Sequence, residues 1–265
     1  GPAAASRRGR PGRGRAGHAP VERGPPPPDT LLFGVVFPTM EEDEMVKIGV
    51  CLSGCGVYDG SEIQEAVFTL LALDRAGAEA VCMAPDIELD EVDHLTGENT
   101  GQKRNVLREA ARICRGEIKP ISQISAGGLD GLVLPGGFGA AKNLSNFAEA
   151  GPAASLEPTL AELAGQVIEA RKPLGVICIA PALAALFFKG REGSVRLTIG
   201  NDPGTASALE KLGAVHEEKS VDQVCFDEEH RVLSTPAYML GPGPAQVWPG
   251  IEALVGKVVE LARGA

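Results

Sequence analysis

The chain has 265 residues, 44% of them hydrophobic and 4% aromatic, and 35 acidic against 25 basic side chains give a formal net charge of -10. Such a composition supports a full hydrophobic core, and its acid excess argues against a nucleic-acid or anionic-membrane surface, leaving a small molecule or a protein as the expected partner. No apolar stretch approaches the roughly 18 to 20 residues of a membrane-spanning helix, and the six cysteines (51, 55, 82, 114, 178 and 225) lie mostly in apolar runs, as reduced core residues do.

Residues 1–44 differ from all that follows. Arg7, Arg8, Arg10, Arg13, Arg15 and Arg23 stand among many Gly and Pro, ahead of Pro25 to Pro28 and the acidic run Glu41 to Glu44. This composition cannot bury a core, so a disordered N-terminal segment is expected over 1–44 and one α/β domain over 45–265. The first twenty residues are Arg-rich and acid-poor, as in an organelle transit peptide. Their Gly and Pro break amphipathic helix, however, and Ser is scarce. The expectation is therefore a cytoplasmic protein, with a mitochondrial or plastid matrix as the alternative if 1–44 is a transit peptide.

Val46 to Leu52 (VKIGVCL) reads as the first strand, and Ser53 to Gly60 as a loop with three glycines. Ser61-Glu62 opens a helix that runs to about Arg75 and is closed by Gly77. A second strand spans Ala80 to Ala84, and Val92-Asp-His94-Leu95 falls in a polar loop. Gly131 to Leu134 is the next apolar strand, followed by Pro135-Gly-Gly-Phe-Gly-Ala-Ala-Lys-Asn143, helices near Asn146 to Ala150 and Leu156 to Arg171, and the strand Leu174 to Ile177. Ala182 to Phe188 continues as helix, and Ala214 to Ser220 reads as a partly exposed strand. Alternation of this kind implies a parallel sheet covered by helices on both faces, with ligands bound at the carboxyl ends of the strands.

Three segments should therefore meet at one sheet edge: the Ser53 to Gly60 loop, the Pro135 to Asn143 loop and Cys178. At a strand-to-helix turn the Cys178 sulfur would lie by backbone N–H groups and the positive end of a helix, which favours thiolate and makes a nucleophile. The competing reading is a plain core cysteine. The glycines at Gly136 and Gly137 permit backbone turns whose N–H groups converge on a small anion, as an oxyanion hole requires. Neither complete phosphate-loop pattern occurs, so a nucleotide site is not expected. The four His are scattered and the cysteines lack paired close spacing, so no metal site and no cofactor are expected.

The runs Gly-Val-Ile-Cys-Ile-Ala-Pro, Leu-Pro-Gly-Gly-Phe-Gly-Ala-Ala-Lys-Asn-Leu-Ser and Leu-Ser-Gly-Cys-Gly-Val-Tyr-Asp-Gly-Ser-Glu-Ile resemble the ElbB family, within the PfpI and class I glutamine amidotransferase-like superfamily. The likeness runs from Val46 to the C-terminus and takes in Arg104-Asn-Val-Leu, Arg196-Leu-Thr-Ile-Gly and Thr235-Pro-Ala-Tyr-Met. It implies a flavodoxin-like three-layer sandwich with a mostly parallel central sheet, a nucleophile-elbow cysteine and a homodimer. For the bacterial member it implies glyoxalase-type lyase activity on small dicarbonyls. By motif, Cys178 takes the nucleophile's place and Glu65 that of the glutamate hydrogen-bonded to it. Glu62, one helical turn away, is the competing acid. Gly137 and Ile179 would supply the oxyanion-hole N–H groups, and Gly136, Cys55, Tyr58 and Asn143 would line the substrate pocket, with Lys142 and Asp59 nearby.

The chain also departs from the superfamily. No His follows Cys178; the next is His216, whose His216-Glu217-Glu218 mimics a glutaminase His-x-Glu at too short a spacing, and Ala180 and Ala182 break the amidotransferase signature. Three functions follow in order of expectation. The first is a cofactor-independent, glyoxalase-like enzyme acting on a small aldehyde or dicarbonyl through Cys178. The second is a redox-sensing or partner-binding protein using the same thiol; Cys55, in the loop expected beside it, reads as a packing residue first and a resolving thiol second. The third is a glutaminase-type subunit.

Overall fold

A computed structural model describes residues 45–264; the expectations for 1–44, a disordered or transit segment, fall outside the described residues. The chain runs β1 (Lys47–Cys51), α1 (Ile63–Arg75), β2 (Glu79–Ala84), β3 (Glu88–Val92), β4 (Asn99–Asn105), α2 (Val106–Ile113), β5 (Lys119–Pro120), β6 (Gly131–Leu134), α3 (Phe138–Lys142), α4 (Phe147–Ala150), α5 (Pro158–Glu169), β7 (Leu174–Ile177), α6 (Pro181–Phe188), β8 (Arg196–Leu197), α7 (Pro203–Lys211), β9 (Val215–His216), β10 (Cys225–Asp227), β11 (Val232–Thr235) and α8 (Pro244–Arg263). Seven strands form one sheet in the order β10-β11-β7-β6-β1-β2-β5. All pairings are parallel except β10 with β11.

The strands alternate between two cores. Leu132 and Leu134 of β6, with Leu174 and Val176 of β7, face α5 and α6; Val133, Ile177, Ile48 and Val50 face α1 and α8. Both faces are buried, which explains why these strands read as unbroken apolar runs and not as alternating ones. The result is the expected flavodoxin-like three-layer sandwich. Gly175 lets α8 close on β7, because a Cβ there would lie 2.8 Å from Leu254 Cδ2.

Two segments differ from the sequence reading. The polar stretch after β2 is an antiparallel hairpin, β3 with β4, whose strand β4 is largely exposed; its charged residues carry no core-facing period that marks a strand. Only Val215–His216 of Ala214 to Ser220 is strand, paired with β8.

Candidate functional site

The central strands β1, β6, β7 and β11 end at one edge, and each passes directly into a turn. After β7 the chain turns at Cys178, whose φ is +62°, a left-handed conformation unusual for a residue with a Cβ. The turn is held because Cys178 N–H donates to Thr235 O at 3.0 Å and Ala180 N–H to Ile177 O at 3.0 Å, before Pro181 starts α6. Such strain costs on the order of 1–3 kcal/mol and persists only where the surroundings enforce it. Cys178 is 8% exposed and opens on a cavity of about 260 Å³.

The Glu65 carboxyl lies beside Cys178, since a Cβ on Gly136 would meet both Cys178 Cβ and Glu65 Oε2, and the Gly137 and Ile179 N–H groups are near enough to the sulfur to favour its charged form. Glu65 sits in the first turn of α1, fully buried. Its Oε2 accepts the Gly136 N–H at 2.9 Å and its Oε1 the Tyr238 N–H at 3.2 Å. Burial, and then the charge of Glu62, push its carboxyl from an ordinary 4.5 to about 8, against the pull of those hydrogen bonds. Glu65 is therefore an acid at neutral pH.

The thiol corrects one expectation. Proximity to a helix start predicts a favoured thiolate, yet Cys178 is held well above its ordinary 9.0, first by burial and then by Glu65. The two N–H groups pull the other way. In a site this dry, the loss of hydration outweighs two backbone dipoles.

Gly136 and Gly137 allow the approach. A Cβ on Gly136 would lie 2.5 Å from Cys178 Cβ and 2.6 Å from Glu65 Oε2, and one on Gly137 would lie 2.3 Å from the Glu62 nitrogen. Gly137 has φ +93°. Gly136 thus supports the site from beneath instead of lining it. Glu62, the competing acid, is the N-cap of α1: its Oε2 accepts the Glu65 N–H at 2.7 Å. Its side chain lines the cavity and its carboxyl is raised by burial. It is Glu65 that meets the sulfur.

The other pocket candidates lie elsewhere. Asn143 Nδ2 donates to Ser53 O and Asp59 O, both at 2.8 Å, bracing the glycine loop. Tyr58 is exposed and tilts against His94, with ring centroids 5.0 Å apart. Lys142 Nζ donates to Tyr58 O, and Asp59 Oδ2 accepts the Val92 N–H, tying the loop to β3. Cys55 is raised by burial and feels Glu109, Arg112, Asp59 and Cys114. Its loop turns through Gly54 and Gly56 at positive φ, and Cys55 does not line the cavity on which Cys178 opens. His216 Nε2 accepts the Ile199 N–H, which makes it part of the β8–β9 framework.

Sequence reasoning missed Tyr238, Met239 and Thr205, which line the cavity with Val57, Phe138 and Ile179. The signal for Tyr238 was present: Thr235-Pro-Ala-Tyr-Met follows an apolar strand, as the other site loops do, but β11 was not read as one. Among the described residues, no group of three or more His, Cys, Asp or Glu is arranged to hold a metal ion, and no helix is long and apolar enough to cross a membrane.

A parallel α/β sandwich with this turn and this buried acid defines a class I glutamine amidotransferase-like, PfpI-type protein. Human glutamine amidotransferase-like class 1 domain-containing protein 3, mitochondrial, is 41% identical over 226 residues, covering 81% of this chain and 83% of the human one. The rat ES1 protein homolog, mitochondrial, is 42% identical over 226 residues, covering 81% and 84%. A crystal structure of an isoprenoid biosynthesis protein with an amidotransferase-like domain from Ehrlichia chaffeensis is 36% identical, with a TM-score of 0.77 over 82% of this chain and 99% of that one. No family model matches the sequence. The chain belongs to the ElbB-like family of the PfpI and class I glutamine amidotransferase-like superfamily.

Proposed function

We propose that the chain is a cofactor-independent, glyoxalase-like enzyme converting small dicarbonyls to α-hydroxy acids through Cys178. The observation that carries this reading is a thiol on a left-handed strand-to-helix turn, beside a fully buried acid and on the wall of a cavity. The sulfur forms a C–S bond with the aldehyde carbon while the carbonyl π pair moves to oxygen, and the thiol proton passes to that oxygen through Glu65. The Gly137 and Ile179 N–H groups follow the charge from sulfur to oxygen. Glu65 then protonates the neighbouring carbonyl oxygen as it takes the proton from the hemithioacetal carbon, and returns that proton to the former carbonyl carbon while taking up the hemithioacetal hydroxyl proton, leaving a thioester of the hydroxy acid and Glu65 protonated as before. Water cleaves it and restores the thiol. The sum is addition of one water, with no external oxidant or reductant.

Turnover of glyoxal or methylglyoxal by the purified chain, lost in Cys178→Ala, is expected; activity no greater than that variant's refutes the reading. A thiol sensor is the second reading and uses the same residue; the fully buried Glu65 beside Cys178, which can take and return the thiol proton, favours the enzyme. The glutaminase reading is weaker, since among the described residues no His lines the cavity. A homodimer belongs to the proposal, with a mitochondrial location, which the names of the mammalian relatives favour over the cytoplasm.

A further inference from the structure

The cavity before Cys178 is larger than a two- or three-carbon dicarbonyl needs. Its volume of about 260 Å³ is that of roughly nine waters at about 30 Å³ each. Val57, Phe138, Ile179 and Met239 supply apolar wall. Among the described residues the lining contains no Lys, Arg or His, and apart from Cys178 and the Tyr238 phenol its one ionisable side chain is Glu62. Glu62 is held in place by its own cap bond, Oε2 to the Glu65 N–H at 2.7 Å. A carboxylate-bearing ligand would enter against a fixed like charge with no cation to compensate it, a juxtaposition that suppresses binding strongly.

We infer that the site selects neutral α-oxoaldehydes carrying an apolar arm, and that Glu62 is the residue that turns away anionic ligands. The inference rests on the reading of Cys178 as the reactive group, and it adds a direction to the reaction. The substrate arrives uncharged, and the product is an α-hydroxy carboxylate, which the same Glu62 drives out. The apolar arm packs on Phe138 and Met239, whereas methylglyoxal leaves that wall wetted.

Charge selection is measured without turnover, by the rates at which iodoacetamide and iodoacetate alkylate Cys178, each divided by its rate with N-acetylcysteine. The two reagents differ in little but charge. The expected result is a preference for the amide at least about tenfold above that of the free thiol, compressed by added salt and reduced several-fold in Glu62→Gln, whose amide oxygen keeps the helix cap. A wild-type ratio equal to the free thiol's overturns the inference, as does a ratio unmoved by both salt and Glu62→Gln. The salt titration needs no variant and holds if Glu62→Gln fails to fold. In parallel, kcat/KM for phenylglyoxal should exceed that for methylglyoxal by about tenfold, and the reverse order overturns the assignment of the apolar arm. Absence of turnover with every dicarbonyl, alongside an intact alkylation preference, refutes the enzyme reading while upholding the charge selection.

Discussion

Cys178 and Glu65 form one titrating unit, and its cost is visible in stability. Glu65 is raised from an ordinary 4.5 to about 8, so the folded chain keeps a proton that the unfolded chain gives up. Its stabilising contribution is complete below the unfolded value and is lost as pH rises through about 8. Chemical denaturation should show the unfolding free energy falling across that interval by on the order of 5 kcal/mol. Glu65→Gln has no proton to exchange there and should flatten the slope while keeping an acceptor for the Gly136 or Tyr238 N–H. An unchanged slope in the variant would mean that Glu65 ionises normally. Cys178 itself stood out in the sequence because an apolar strand stops on it. Its raised thiol did not, because desolvation depends on what else closes over the sulfur.

Among the elements, the strand ends and the loops they launch interlock through missing side chains. Glu62 N–H donates to Gly136 O at 3.0 Å and Gly139 N–H to Gly60 O at 2.9 Å, so the loops after β1 and β6 are stitched together. Gly136→Ala forces a Cβ to 2.5 Å from Cys178 Cβ and should cost about 1–3 kcal/mol or more, with loss of Cys178 reactivity. Gly256 in α8 is exposed, and a Cβ there meets nothing within 4 Å. Gly256→Ala should therefore stabilise by about 0.5–1 kcal/mol. Thermal or urea denaturation of both variants checks the pair, and equal effects would contradict the packing described. Strands β1, β6 and β7 were legible within a residue, because burial on both faces leaves a solid apolar run. The hairpin β3–β4 was not, because its residues are largely polar and exposed and it is tied to the fold by another loop, Asp59 Oδ2 accepting the Val92 N–H and Tyr58 N–H donating to His94 Nε2 in the hairpin turn.

For the whole molecule, the sheet divides the core in two, and α1 belongs to both the core and the surface. Its inner face buries Glu65, Ala66, Thr69, Ala72 and Leu73. Its outer face leaves Ile63 45%, Val67 44% and Leu71 43% exposed at the i, i+4, i+8 spacing of one stripe. Under the proposed homodimer this stripe is the surface for a second copy. Sedimentation should then give a dimer for the native chain and a monomer for Val67→Glu, with its circular dichroism unchanged. A native monomer at micromolar concentration would remove the proposal.

The sequence by itself determined the layered parallel fold, the thiol at the end of a buried strand, the acid one helix away and the glycines between them, because these depend on local pattern and on motif. Only the tertiary structure decided which acid meets the sulfur, that Tyr238 completes its support, and that Cys55, Tyr58 and Asn143 serve the loop and not the cavity. Those outcomes turn on where segments some 36 to 173 residues apart come to rest, and on how much water their meeting excludes. Neither is written in any one stretch of chain.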